Sequence, residues 1–210
     1  MSKVIQMKVC GMRDPGNIAE VSRLHPDFLG FIFYRPSPRF VGEDFKMPQL
    51  PSNIRRVGVF VNETNSVIMQ KVEAHSLNFV QLHGDEGVEQ CRELKAKGVG
   101  VIKVFSVDDD TDFAITHPYR GAVDYFLFDT KGKLYGGNAV RFNWDVLSRY
   151  DQSVPFFISG GIAPDHMGEI KKLKDMNLLA VDVNSGVELR PGFKDPDRIQ
   201  AIKTELNAKR

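Results

Sequence analysis

Cys10 closes the stretch Val4 to Met12 (Val-Ile-Gln-Met-Lys-Val-Cys-Gly-Met), whose apolar and β-branched residues, ended by Gly11, fit a short buried strand. Asp14 and Pro15 follow at once as an N-cap and a first helical position. Cys10 is therefore either a small core residue or a reactive thiol aimed into a pocket. Asp129 closes a second apolar run after Tyr125-Phe126-Leu127-Phe128. Aromatic walls would disfavour its charged form and suit a general acid; the plainer role is capping the next loop. Two further runs end in Ser159-Gly160-Gly161 and Asn184-Ser185-Gly186. Turns of this kind can hold a phosphate on backbone N–H groups, or simply be tight turns.

Lys8 and Lys103 lie inside apolar runs and compete as Schiff-base nucleophiles. Lys8 stands two residues before Cys10 and so shares its face, where it could favour a thiolate or pair with an acid. His83, Asp85 and Asp129 could be drawn together around a metal, but no ligand spacing compels it, and none is expected.

The elements that must position these groups alternate along the chain. Strands are expected at 4–11, 28–34, 56–62, 79–83, 101–107, 124–129, 155–159 and 178–183. Helical patterns follow at 15–24, 64–75, 87–97, about 108–117, 144–149, 165–173 and 195–208, with 42–52 ambiguous. No hairpin signal or linker interrupts the series. Eight strand–helix units favour an α/β fold, a compact single-domain (β/α)8 barrel over residues 1–210. If the strands are parallel, Cys10, Arg39, Asn62, His83, Asp129, Ser159-Gly160-Gly161 and Asp182 with Asn184-Ser185-Gly186 gather at one rim.

Bulk composition agrees with a single ordinary domain: 210 residues, 42% hydrophobic and 26% charged. With 28 Lys and Arg against 27 Asp and Glu, no charge excess favours nucleic acid or an anionic membrane. Two distant cysteines, Cys10 and Cys91, exclude a disulfide framework, and the N-terminal residues lack a signal-peptide pattern. A cytoplasmic setting is expected.

The assembled motifs resemble the phosphoribosylanthranilate isomerase family of tryptophan biosynthesis. They are Lys8-Val9-Cys10-Gly11-Met12-Arg13, Gly30–Tyr34 with Ser37-Pro38-Arg39, Val57–Asn62, Gln81–Asp85, Phe128–Lys131 with Tyr135-Gly136-Gly137, Ser159–Ile162 and Val181–Glu188. They occur in family order over essentially the whole chain. The resemblance implies that Cys10 is the general base and Asp129 the general acid of an Amadori rearrangement. Arg39 would grip the anthranilate carboxylate, possible as a two-pronged contact. Gly160, Gly161, Asn184, Ser185 and Gly186 would hold the sugar phosphate, with Asp182 and His83 facing the sugar. It implies no cofactor and a small phosphosugar as the partner; a monomer is the expected state. A thiolate near neutral pH would need positive potential from Lys8 or helix N-termini. Two departures stand out: Asn138-Ala139-Val140 in the loop after Gly136-Gly137, and Asn184 where the family usually has Ser. Competing readings are a Lys-dependent aldolase, a metal-dependent epimerase and a phosphate-binding barrel without catalysis.

Overall fold

The computed structural model describes residues 4–130 and 143–208. Eight parallel strands close into a barrel in sequence order: β1 (Gln6–Val9), β2 (Phe28–Ile32), β3 (Arg55–Phe60), β4 (Phe79–Leu82), β5 (Gly100–Val107), β6 (Tyr125–Thr130), β7 (Phe156–Ile158) and β8 (Leu178–Val183). The register sets neighbours across the closing seam, where Lys8 of β1 stands opposite Asp182 of β8. Period two splits each strand. Phe28, Val57, Ile102, Val104, Leu127, Phe157 and Ala180 form one apolar plug, with Phe28 and Phe157 edge to face at 5.1 Å. The alternate positions join the larger core beneath the helices.

The helices begin where capping chemistry allows. Asp14 accepts from Asn17 N–H at 2.9 Å to start α1 (Pro15–Ser22), with Pro15 in its first turn. Thr64 starts α2 (Asn65–His75), α3 spans Val88–Ala96, α4 is the single turn Met167–Ile170, and Asp195 caps α5 (Pro196–Asn207).

Three segments differ from the sequence expectation. Residues 33–54 contain no helix: Pro36, Pro38, Pro48 and Pro51 prevent one, and Phe33 and Phe45 instead pack on Phe60 and Phe31. The acidic run does not open a helix; Asp112 caps a 3-10 segment, Phe113–Tyr119, that contains Pro118. A hairpin absent from the expectation, β9 (Glu188–Arg190) with β10 (Phe193–Lys194), turns at Pro191-Gly192 between β8 and α5. The Gly136-Gly137 motif and Asn138-Ala139-Val140 lie outside the described residues.

Candidate active site

The C-terminal ends of the strands surround a cavity of about 500 Å³. Cys10 lies just past β1, its N–H bonded to the Val183 carbonyl at 2.9 Å, and its side chain lines the cavity. Room for the thiol comes from Gly30 on β2: a Cβ there would stand 2.8 Å from Sγ and 3.1 Å from Lys8 Nζ. Lys8, fully buried, gives hydrogen bonds of 2.9 Å to both Asp182 oxygens. Burial alone would lower the ammonium's pKa, but Asp182 and Cys10 outweigh it and hold Lys8 above the ordinary lysine range. Neither lysine is a free nucleophile. Lys103 sits on the opposite face of β5 from Ile102 and Val104, where its ammonium meets Glu86 at 2.9 Å, outside the cavity.

Burial pushes the Cys10 thiol above its ordinary range; Asp182 adds to the shift, and Lys8 and Lys194 pull against it without reversing it. The expected positive potential is present, but desolvation exceeds it. This qualifies the expectation that positive potential from Lys8 or helix N-termini would favour a thiolate near neutral pH.

Asp129, next to last in β6, faces the same cavity. Its Oδ1 accepts from Thr130 N–H at 2.9 Å, and Oδ2 lies 3.3 Å from His83 Nε2. Gln81 Nε2 stands 3.3 Å from His83 Nδ1. The imidazole thus has a polar group at each ring nitrogen, Gln81 at Nδ1 and Asp129 at Nε2.

Arg39 lines the opposite wall, but its Nε and Nη2 bond Glu188 Oε1 and Oε2 at 2.9 and 2.7 Å. The fork expected for a ligand is thus partly occupied, leaving the Nη1–Nη2 end. Lys194 Nζ bonds Glu188 Oε1 at 2.7 Å and Asn184 Oδ1 at 2.6 Å. Because an ammonium only donates, Asn184 keeps Nδ2 as its remaining donor.

Gly160 (φ +98°) and Gly161 (φ +64°) both occupy the left-handed region, which suits glycine, and line the cavity with Ser159, Asn184 and Ser185. Among the described residues, the amides of Gly160, Gly161 and Ser185 have no backbone acceptor. Gly186 does not line the cavity. It packs on the Ile162 carbonyl, where a Cβ would approach to 2.1 Å, and so draws the two turns together. Asn62 is also outside: its Oδ1 accepts from Asp85 N–H at 2.6 Å, joining the loops after β3 and β4. Glu188 and Lys194 are the site residues that sequence reasoning missed. The Pro191-Gly192 turn was the available signal for their hairpin.

A family model described as N-(5'-phosphoribosyl)anthranilate (PRA) isomerase matches residues 7–205. The chain belongs to the phosphoribosylanthranilate isomerase family. It is 41% identical over 203 residues to the N-(5'-phosphoribosyl)anthranilate isomerase of Phocaeicola vulgatus, covering 97% of this chain and 98% of that one. The Parabacteroides distasonis isomerase is 42% identical over 198 residues, covering 92% and 90%. Among solved structures, the Thermotoga maritima isomerase superposes with a TM-score of 0.83 at 31% identity, covering 96% and 98%. A family structure in complex with reduced 1-(o-carboxyphenylamino)-1-deoxyribulose 5-phosphate gives 0.80 at 31%, with the same coverage. The barrel is thus the family's barrel, and the chain is an isomerase of tryptophan biosynthesis. Among the described residues, no helix is long and apolar enough to cross a membrane.

Proposed function

We propose that Cys10 and Asp129 carry the reaction as base and acid, on a ribose whose phosphate lies in the β7 and β8 turns. The reaction converts N-(5'-phosphoribosyl)anthranilate to 1-(2-carboxyphenylamino)-1-deoxyribulose 5-phosphate. The observation that carries this reading is that the thiol, the carboxyl group and both glycine turns face one cavity of about 500 Å³.

Asp129, as the acid, gives its proton to the ribose ring oxygen. The C1′–O bond breaks, and the anilino nitrogen's lone pair forms a cationic C1′=N bond. His83 Nε2 then faces the new carboxylate across 3.3 Å. Cys10 thiolate removes the C2′ proton, and those electrons move through C2′=C1′ to nitrogen. The C2′ hydroxyl loses its proton as C1′ gains one, giving the ketone. Burial opposes a thiolate, but the iminium adds a positive charge beside Sγ at the step that needs the base. Lys8, fixed by Asp182, supplies a second positive charge. Each of the acid and the base contributes about 10²- to 10⁴-fold.

Gly160, Gly161 and Ser185 offer the phosphate amides that have no backbone acceptor among the described residues, with the Asn184 amide nearby; Arg39 takes the anthranilate carboxylate on its Nη1–Nη2 end, and Asp182 faces the sugar. The two cysteines are buried free thiols, which supports a reducing cytoplasmic compartment.

Loss of phosphoribosylanthranilate fluorescence tests the reading on wild type, Cys10→Ser and Asp129→Asn. Both variants should lose at least about 10²-fold in kcat with KM little changed. Near-normal turnover by either would remove that residue from its role.

A further inference from the structure

The β9–β10 hairpin contains two buried charges that take no part in the proton transfers. Glu188 accepts four hydrogen bonds. Its Oε1 takes Arg39 Nε at 2.9 Å, Lys194 Nζ at 2.7 Å and Gly192 N–H at 2.9 Å, and its Oε2 takes Arg39 Nη2 at 2.7 Å. Lys194 has all three donors engaged, two of them on the side-chain and main-chain oxygens of Asn184 at 2.6 and 3.3 Å. Its backbone is held in turn by α1, where the Asn17 amide accepts from Lys194 N–H at 2.7 Å and donates to its carbonyl at 2.9 Å. One hydrogen-bonded chain therefore runs from α1 through β10 to Arg39 and to Asn184, which stand side by side above Gly11 at the cavity wall.

We propose that Glu188, itself anchored by Lys194, is the positioning residue that aims Arg39 at the carboxylate of the ligand's aromatic ring. The proposal rests on the reading of Arg39 given above. A guanidinium has two edges able to grip a carboxylate, and Glu188 holds the inner one in a two-bond grip that fixes the plane. The outer edge is then presented to the cavity without the loss of side-chain freedom that a loose arginine would suffer on binding. The charge balance points the same way. Arg39 and Lys194 bring two positive charges against one on Glu188, so the cluster keeps an excess suited to one anionic group. Burial alone would raise the Glu188 carboxyl, but Arg39 and Lys194 hold it below the ordinary carboxylate range, so it stays charged.

Two probes separate aiming from general support of the fold. They are reduced 1-(o-carboxyphenylamino)-1-deoxyribulose 5-phosphate and the same molecule lacking the carboxyl group. Glu188→Gln should weaken the first about tenfold and the second less than about twofold by titration, with KM raised and kcat kept. Glu188→Asp keeps the charge but withdraws it by one methylene, so it should show the same selectivity to a smaller degree. It also supplies the readout should the glutamine variant not fold. Equal weakening of both ligands, or of neither, would overturn the proposal. Arg39→Gln is the control. If it too fails to discriminate the probes, the reading of Arg39 falls; if it discriminates and the Glu188 variants do not, only the role of Glu188 falls.

Discussion

Two of the buried lysine–carboxylate pairs among the described residues, each with a cysteine beside it, do different work. Lys8 and Asp182 pair at 2.9 Å inside the barrel with Cys10, at the β1–β8 seam. Lys103 and Glu86 pair at 2.9 Å on the outer face of β5, with Cys91 of α3 nearby. In the outer pair the backbone uses the remaining capacity. Lys103 also donates to the Gly84 carbonyl at 2.7 Å, and Glu86 accepts from Asn62 and Gly84 N–H at 2.8 and 2.9 Å. That pair ties the loops after β3 and β4 to the middle of β5. Among the described residues the inner pair bonds no backbone, and Asp182 lines the cavity beside Cys10. Pairs of the same composition thus become a staple or an electrostatic tool according to what takes their spare hydrogen bonds.

The comparison is tested most strongly by removing each lysine. Lys8→Met should cost about 3–5 kcal/mol of stability, because Asp182 is left charged and buried, and should also abolish turnover. Replacing both members, Lys8→Met with Asp182→Leu, should restore much of the stability in urea denaturation but not the activity. Recovery of activity in that double variant would end the electrostatic role. Lys103→Met should lose a similar amount, about 3–5 kcal/mol, yet the folded enzyme should keep kcat within about threefold.

A smaller effect is expected at Gly30, where an added methyl would press on Sγ and on Nζ. Gly30→Ala should cost about 1–3 kcal/mol and lower kcat more than KM changes, read by thermal melting and steady-state kinetics. The two thiols should also differ in reactivity. Only the thiolate is alkylated by iodoacetamide, so the rate rises with pH as the thiol ionises. Cys10 should reach half its limiting rate above about pH 8.5, the ordinary thiol value, because burial raises its pKa. Cys91, fully buried and pushed up to about 11, should stay unmodified while the protein remains folded. Mass spectrometry of the alkylated protein across pH reads both; faster modification of Cys91 would contradict the contrast.

Period two and the strand ends carried most of the fold and much of the site in plain sight. Lys8 and Cys10 share a face as their spacing requires, and the polar residues ending apolar runs do meet at one rim. The spacing could not say which face of β5 is inside, so Lys103 read as a nucleophile candidate until register placed it among the helices. Asn62 misled for a related reason: it stands two residues past the end of β3 and turns to the neighbouring loop. Glu188 and Lys194 were illegible because their partners are distant in the chain. Two unremarkable charges six residues apart give no hint that Arg39, some 150 residues earlier, completes the cluster. Phe33 and Phe45 show the converse, since aromatic packing fixed a segment that the sequence left ambiguous.

The division of labour between thiol and carboxyl group is tested most directly by a hydrogen isotope effect on substrate deuterated at C2′. If Cys10 takes that proton, Cys10→Ser should make its removal rate-limiting and show a primary effect of several-fold. Asp129→Asn, held back at ring opening, should show almost none. The reverse pattern, or a full primary effect in Asp129→Asn alone, would contradict the assignment of base and acid.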